Sequence, residues 1–210
     1  MPAFSVAIDG NTIATVCTDG FNVMNVRASG TLVEEEVANL DLSGGSYPEN
    51  GESTSLTWVN HVPLSAGQII TISFLESAQS SHAGKTIEEL FPNEARTEIS
   101  DFKPTAEIFE EIRAKSKLRN KYIFHLKTSK GSNFDGGTKP GDFGFALSVL
   151  WNWLSPERAS MSLHSYTLES IEMAGPVDYL FDERLYFGDS VSFSLGQDER
   201  QLTVEKQPLV

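Results

Sequence analysis

The amino-acid sequence predicts a mainly β fold, in which two similar antiparallel β units, sandwich-like and packed together, are joined by one amphipathic helix. The first observation is an internal repeat, because Leu64–Phe74 and Leu185–Leu195 follow the same pattern at an offset of 121 residues. Each copy has an apolar residue three positions before a glycine, then a polar residue, then an alternating stretch. The second observation is that similar alternation recurs in most other segments, which is typical of strands. The third is that only one segment has a convincing helical period.

The repeat divides the chain into two units and a connector. We predict a first β unit over residues 1–84, a connector over residues 85–120, and a second β unit over residues 121–210 that repeats the first. Each unit would expose a half-buried sheet face that is unstable alone. The repeated parts, residues 3–76 and 121–195, are therefore expected to pack face to face with pseudo-twofold symmetry.

Turn signals separate the expected strands of the first unit. Asp9-Gly10-Asn11 lies between two alternating segments, as the turn of a hairpin does, and Asp19-Gly20 marks a second turn. Residues 43–53 combine Gly, Pro and Asn and are predicted to form a loop. The expected strands are Phe4–Ile8, Thr12–Val16, Phe21–Val26, the segment from Glu34 to Leu42, and the stretches around Leu56–Trp58 and Ile70–Phe74.

The connector contains the predicted helix, over residues 105–119. Ala106, Phe109 and Ile112 fall on one helical face, and Pro104 stands where a helix can begin. Acidic residues come early in this segment and basic residues come late, which complements the helix dipole. The dipole accounts for the basic cluster without a ligand.

The second unit is expected to begin with a strand over Tyr122–Lys127, as Phe4–Ile8 begins the first. Residues 132–142 are predicted to form a loop, because they contain Gly136-Gly137 and Pro140-Gly141. The clearest strand follows, and its alternation places on one face Phe143, Phe145, Leu147, Val149, Trp151 and Trp153. A weaker strand is expected from Met161 to Ile171, and a last strand from Gln201 to Val204.

Charge and composition limit the classes of partner. The formal charge of the 210-residue chain is −13, and residues 1–84 carry nine acids against one base, Arg27. An acidic protein repels nucleic acid and anionic lipid and attracts basic proteins, so we expect neither a nucleic-acid nor a membrane partner. The N-terminus lacks the features of a secretion signal, and the single cysteine, Cys17, fits a reducing compartment. The expected location is the cytoplasm.

No catalytic, metal or cofactor signature is apparent in the sequence. The four histidines stand at positions 61, 82, 125 and 164, without the close spacing of a zinc site. Cys17 is expected to be a small apolar filler at a strand end. Carboxylate pairs for glycoside hydrolysis, such as Asp182 and Glu183 with Glu169, are not specific among 29 acids. We therefore expect a protein that is not an enzyme and has no cofactor or bound metal.

Acidic segments in both units are the predicted contact surface. The leading hypothesis is a non-catalytic immunity or inhibitor protein that binds and neutralises a basic toxin or effector. The alternative is a carbohydrate- or small-ligand-binding β module. Its stacking platform would use Tyr47, Trp58, Trp151 and Trp153, although such residues in alternating strands are more often core. The candidate partner-binding residues are Glu34, Glu35, Glu36, Asp178, Asp182 and Glu183.

Several short motifs between residues 6 and 76 occur together. They are Asp19-Gly20, Gly44-Gly45, Leu56-Thr57-Trp58 and the run from Leu64 through Gly67 and Gln68 to Ile69. In these features the chain resembles a group of small uncharacterised bacterial β proteins with a Leu-x-Trp and a Leu-x-x-Gly-Asp strand motif. The last position of the second motif is Gln68 in the first copy and Asp189 in the second. The resemblance implies a β fold and leaves the activity open.

Overall fold

The computed structural model describes residues 1–94, 105–175 and 178–196. Within these ranges the chain forms short helices and many strands. The helices are α1 (Ile87–Leu90), α2 (Ala106–Ala114) and α3 (Leu168–Glu172). The strands are β1 (Ala3–Ile8), β2 (Asn11–Cys17), β3 (Val23–Thr31), β4 (Ala38–Ser46), β5 (Thr54–Leu64), β6 (Ile69–Leu75), β7 (Ile123–Thr128), β8 (Asn133–Gly137), β9 (Gly144–Asn152), β10 (Arg158–Tyr166), β11 (Asp178–Tyr186) and β12 (Ser190–Leu195).

The strands form two six-stranded sheets. Sheet I has the order β2-β1-β6-β12-β7-β8, and sheet II has the order β11-β10-β9-β3-β4-β5. Every neighbouring pair is antiparallel. The predicted mainly β, sandwich-like fold is confirmed.

The two units share both sheets. The first unit gives β1, β2 and β6 to sheet I and β3, β4 and β5 to sheet II, and the second unit adds its six strands in the same arrangement. The units therefore meet edge to edge, at the β6–β12 and β3–β9 pairs, and not face to face as expected. Edge pairing satisfies backbone groups that each half alone would leave exposed.

A pseudo-twofold axis passes through both central strand pairs. In sheet I, Thr71 lies opposite Ser192, which is 121 positions later, and the two hydroxyl oxygens are 3.3 Å apart. In sheet II, Arg27 lies opposite Ser148, also 121 positions later. A residue that pairs with its own repeat equivalent marks the axis. Residues related by the sequence offset of 121 are therefore also related by the pseudo-twofold axis of the fold.

The hydrophobic core lies between the two sheets and draws on both units. Alternate residues of each strand point inward, and the buried apolar side chains form one continuous cluster. Aromatic rings bridge the two sheets within the second unit, since Phe145 of sheet II lies 5.0 Å from Phe124 and 6.0 Å from Phe193 of sheet I between ring centroids. Between the units, the rings of Phe74 and Phe187 stack with their centroids 5.1 Å apart. This shared core makes the two units one folded body.

Several expected elements have different bounds. Helix α2 ends at Ala114 because Lys115 is extended, which lets the chain reach sheet II, where the Leu118 N–H bonds to the Leu32 carbonyl at 2.8 Å. The predicted loop over residues 132–142 contains β8, and the predicted strand from Met161 to Ile171 divides into β10 and α3. The strand predicted over 201–204 lies outside the described residues.

Bulges break the constant offset in the outer strands of sheet II. The β4–β5 pairing shifts register twice, whereas the β10–β11 pairing shifts once. Thr57 lies opposite Ser43, and Tyr179 lies opposite His164, the residue equivalent to Ser43. Tyr179 therefore corresponds to Thr57, and not to Trp58 as an ungapped alignment implies.

In the described ranges, no helix combines the length and apolarity needed to cross a membrane.

Candidate functional site

The pseudo-twofold axis makes the two ends of sheet II equivalent in their backbone structure. At one end the Leu32 N–H donates to the Phe143 carbonyl at 2.9 Å. At the other end the equivalent residues repeat the bond, because the Trp153 N–H donates to the Asn22 carbonyl at 3.0 Å. The two ends can therefore be compared residue by residue.

One end of sheet II is covered by the connector. We call Leu32, Val33, Phe143 and Leu168 the covered end. Leu32 is 1% exposed and Leu168 is 7% exposed. Ile112 and Arg113 of helix α2 line a cavity of about 170 Å³ together with three of these residues, Val33, Phe143 and Leu168. The buried side of α2 carries Phe109, so the amphipathic helix expected from the sequence closes this end.

Two buried polar side chains tie the connector to the β3–β4 turn. Arg119 donates from Nη1 to the Thr31 carbonyl at 2.6 Å and from Nη2 to the Glu35 carbonyl at 3.1 Å. The Tyr122 hydroxyl lies 2.7 Å from the Thr31 carbonyl and 2.9 Å from the Val37 carbonyl. Burial raises the pKa of Tyr122 well above its ordinary value, although nearby Arg119 lowers it. The hydroxyl therefore stays a donor over a wide pH range.

The acids of the covered end face basic residues of the same chain. Arg113 of α2 forms ion pairs with Glu110 and with Glu172 of α3. Hydrogen bonds from its own backbone N–H and from the Thr167 hydroxyl lower the pKa of Glu169, and Arg113 lowers it further. The connector thus supplies both an apolar cover and opposite charge at this end.

The other end of sheet II has no such cover among the described residues. We call Tyr47, Trp153 and Leu154 the open end; by the offset of 121 they correspond to Leu168, Leu32 and Val33. Their exposed fractions are 52%, 61% and 75%. Asparagine side chains bond to the backbone at two of these residues, because Asn22 Oδ1 accepts from the Tyr47 N–H at 3.2 Å and Asn152 Oδ1 accepts from the Leu154 N–H at 3.1 Å. The open end is thus a set of exposed apolar side chains on a bonded backbone.

The loops around the open end are acidic. Residues 18–22, 47–53 and 153–158 carry four acids, Asp19, Glu49, Glu52 and Glu157, against one base, Arg158. The four acids are exposed, whereas Arg158 is half-buried and donates to the Ser155 hydroxyl at 3.2 Å. In contrast to the covered end, no basic segment of the described chain lies over these acids.

The structure separates the six predicted contact residues. Glu34–Glu36 are exposed in the β3–β4 turn at the covered end, and β3 lies three strands, or about 14 Å, from β11. Asp178 begins β11, and Asp182 is exposed there opposite Ser162, which lies on the outer face. These residues do not form one compact cluster, and their contact with a partner stays a prediction.

Glu183 points into the edge of the sandwich. It lies opposite buried Met161, and residues directly opposite each other share a face. The Ser132 hydroxyl donates to Glu183 Oε1 at 3.3 Å, while Oε2 is buried without a hydrogen-bond partner. This carboxylate is therefore less available to a partner than that of Asp182.

The outer face of sheet II holds a polar depression of about 330 Å³. Its centre contains Arg27, on the symmetry axis, and an ion pair in which His61 Nδ1 lies 2.9 Å from Asp41 Oδ1. His61 has a positive φ of 48° at a bulge, and its N–H also bonds to Asp41, at 2.8 Å. The other lining residues are Asn25, Ser29, Ser43, Thr57 and Asn60. A small polar ligand could bind here.

The remaining candidate groups are dispersed. His125 lies 2.7 Å from Asp135 on the outer face of sheet I, and half-buried Cys17 ends β2. Within the described part of the chain, no three or more His, Cys, Asp or Glu side chains gather in a way that could hold a metal ion.

The open end was not identified as a site from the sequence. Alternation placed Trp153 in the core beside Trp151, but β9 ends at Asn152, so Trp151 is 3% exposed while Trp153 lies in the turn. The offset of 121 does pair Trp153 with Leu32, yet it does not indicate which of the two is buried.

Comparison of the chain with protein-family models, curated proteins and solved structures finds no match. The resemblance to bacterial β proteins stays a prediction.

Proposed function

We propose that this chain is a non-catalytic interaction protein that binds a basic protein partner at the open end, as an immunity or inhibitor protein does for a toxin or effector. The observation that carries the proposal is the exposure of Tyr47, Trp153 and Leu154 beside loops that carry four exposed acids and one half-buried base. Trp and Tyr are the residues most often found at the energetic centre of protein interfaces.

The two parts of this surface have different roles in binding. The acidic loops attract a basic protein and raise the rate of encounter at low ionic strength. The apolar side chains provide the affinity once they are removed from water, at about 25 cal/mol for each Å² of apolar surface buried. Because Trp153 and Leu154 belong to a short turn held by hydrogen bonds, little ordering is needed when they bind.

We place the proposed contact at the open end and not at Glu34–Glu36. The acids near the covered end lie beside the basic last part of the connector, residues 113–119, in which Arg113 pairs with Glu172 and Arg119 bonds to the Glu35 carbonyl. A basic partner would compete there with charges that the chain already supplies. Asp19, Glu49, Glu52 and Glu157 face no such segment in the described chain.

Affinity capture at low salt tests the proposal with matched variants. Wild-type protein and the double variant Trp153→Ser, Leu154→Ser are used as baits in native lysate of the source organism. Met173→Ser is the control, because Met173 is 74% exposed, like Leu154 at 75%, but follows α3 at the covered end. We expect a basic protein to be retained by wild type and by Met173→Ser and to be lost by the double variant. Equal retention by all three baits, or no basic protein at all, contradicts the proposal.

A second candidate function is binding of a saccharide or another small polar ligand in the outer-face depression. Arg27, Asn25, Asn60 and the His61–Asp41 pair support it, since these groups offer donors and acceptors on a rigid sheet. It is tested by thermal shift against a panel of mono- and oligosaccharides, with Arg27→Ala and His61→Ala as variants. A saccharide that raises the Tm of wild type but not of both variants favours this function over the first.

A further inference from the structure

We infer that the partner inserts a short amphipathic α-helix with a basic polar face into the open end, in the position that α2 occupies at the covered end. This inference rests on the proposed function and specifies the element that binds. It follows from three observations: the backbone equivalence of the two ends, the chemistry of α2, and the charge of the loops around the open end.

The equivalence of the two ends extends over three adjacent strands. At the covered end, the Phe143 N–H donates to the Tyr166 carbonyl at 2.7 Å; at the open end the equivalent Asn22 N–H donates to the Gly45 carbonyl at 2.9 Å. The covered end is built at the ends of β10, β9 and β3, and the open end at the ends of β4, β3 and β9. The three strand ends therefore match, although helix α3 follows β10 at the covered end and a loop follows β4 at the open end. A helix that packs on the strand ends at the covered end would meet equivalent strand ends at the open end.

Helix α2 shows what this frame accepts. It has nine residues, a length of about 13 Å, and three adjacent strands measure about 10 Å from first to last. One helical face with Phe109 and Ile112 is therefore long enough to reach all three strand ends. Val33 and Leu168 line a cavity with Ile112 of α2. Their equivalents at the open end are Leu154 and Tyr47, so larger apolar side chains would meet the partner helix.

The charges at the open end favour a basic helix. In the covered end Arg113 of α2 pairs with Glu172 of α3. By the offset of 121, Glu172 corresponds to Gly51, which is followed by Glu52 in the acidic loop. A Lys or Arg on the partner helix could thus repeat the Arg113 contact with Glu52. A second copy of this chain is a poor occupant, because two acidic open ends would repel each other.

The test uses a synthetic helical peptide as the probe. A fluorescein-labelled peptide of 14 residues carries Phe and Ile at the spacing of Phe109 and Ile112 and Lys or Arg on its polar face. One control peptide has the same composition in scrambled order, and another has Glu in place of each Lys and Arg. Binding to the full chain is measured by fluorescence anisotropy at low and at high salt.

The expected result is selective and localised. Wild-type protein binds the basic amphipathic peptide about tenfold or more tightly than either control peptide, and higher salt weakens binding. Trp153→Ser and Leu154→Ser each reduce the affinity by about tenfold. Met173→Ser leaves it unchanged. These two open-end side chains are exposed and outside the core, so the variants are expected to fold, which circular dichroism checks.

Three results overturn the inference. The first is equal binding of the scrambled peptide, and the second is no loss of binding in Trp153→Ser. The third is a dimer of wild-type protein in sedimentation experiments that is absent in Trp153→Ser, which would assign the surface to self-association. Different results contradict the inference and the proposed function. If affinity capture retains a basic protein in a Trp153-dependent way but the helical peptide does not bind, the partner uses a different element and only the inference is wrong.

Discussion

The covered end and the open end of sheet II share the backbone bonds at their strand ends but differ in exposure. Leu32 is 1% exposed and its equivalent Trp153 is 61% exposed; Leu168 is 7% exposed and its equivalent Tyr47 is 52% exposed. The difference coincides with the position of the connector. The Leu118 N–H bonds to the Leu32 carbonyl, and α2 lines a cavity with Val33 and Leu168. A strand pattern that is repeated in the sequence thus produces two similar ends, and the segment between the repeats closes one of them.

This asymmetry distinguishes two equivalent positions of a repeated fold. A tandem repeat has one internal connector, so the connector can occupy only one of the two positions. In the described part of the chain, α2 of the connector lies beside the covered end. At the open end, Trp153, Leu154 and Tyr47 stand at the positions equivalent to Leu32, Val33 and Leu168.

The largest expected effect is a difference in the free energy of unfolding between a variant at the covered end and a variant at the open end. Leu32→Ala leaves a cavity under the connector and should lower the free energy of unfolding by about 2–5 kcal/mol. Trp153→Ala removes a side chain that is mostly in water and should change it by about 0.5 kcal/mol or less. Urea unfolding at neutral pH measures both. Similar losses for the two variants would mean that the open end is packed, against the difference in exposure described above.

The next effect concerns the hydroxyl of Tyr122. Tyr122→Phe leaves the Thr31 and Val37 carbonyls without this donor and should cost about 1–3 kcal/mol of unfolding free energy at pH 7. Tyr179→Phe is the control, because Tyr179 is 65% exposed. A loss in the control as large as that in Tyr122→Phe would contradict a role for the buried hydroxyl.

The same residue predicts a dependence on alkaline pH. Burial raises the folded-state pKa of Tyr122, so above about pH 10 an unfolded tyrosine loses its proton while the folded one keeps it. This contribution to stability is complete below the unfolded pKa and is lost as pH rises towards the folded pKa. We expect urea midpoints of wild type to fall between pH 9 and pH 11 more steeply than those of Tyr122→Phe. Parallel curves would argue against a raised pKa.

A smaller and local effect is expected from the ion pair of α2. Arg113→Ala removes the contacts with Glu110 and Glu172, both on the protein surface, and surface ion pairs contribute little to global stability. Amide hydrogen exchange should become faster in residues 106–114 and stay unchanged in β9. Lys127→Ala, on the outer face of sheet I, is the control. Unchanged exchange in α2 would show that its apolar face alone holds it.

The smallest effect on the free protein is expected from the acidic loops around the open end. Glu49→Gln with Glu52→Gln should leave the urea midpoint unchanged, because both side chains are exposed and form no hydrogen bond or ion pair in the described structure. The same change should weaken binding of the basic helical peptide and reduce its dependence on salt. If the variant binds the peptide with an unaltered salt dependence, the acids of the open end do not contribute to attraction of the basic peptide.

The sequence predicted the repeat because the two copies of one strand share their turn and alternation, from Leu64 and from Leu185. It did not predict that the units share sheets. Alternation indicates which face of a strand is buried, but it carries no information on which strand lies at its edge. The bulge at His61 was also missed, since its positive φ of 48° depends on contacts with Asp41.

The open end was missed for a related reason. Leu32 and Trp153 are both apolar residues just after an alternating strand, and local pattern alone treats them alike. The carbonyl of buried Leu32 accepts a hydrogen bond from Leu118, which lies about ninety positions later in the chain. Burial that depends on so distant a segment is visible only in the folded structure.

The most direct test of the two-ended comparison is fluorine NMR of protein labelled with 5-fluorotryptophan. Three signals are expected, from Trp58, Trp151 and Trp153, and Trp153→Phe assigns one of them. That signal should be the most sensitive to exchange of H₂O for D₂O, and it should shift when the basic helical peptide is added while the buried Trp151 signal does not. A Trp153 signal with the solvent response of Trp151, and no shift on addition of the peptide, would contradict an open end that binds a helix.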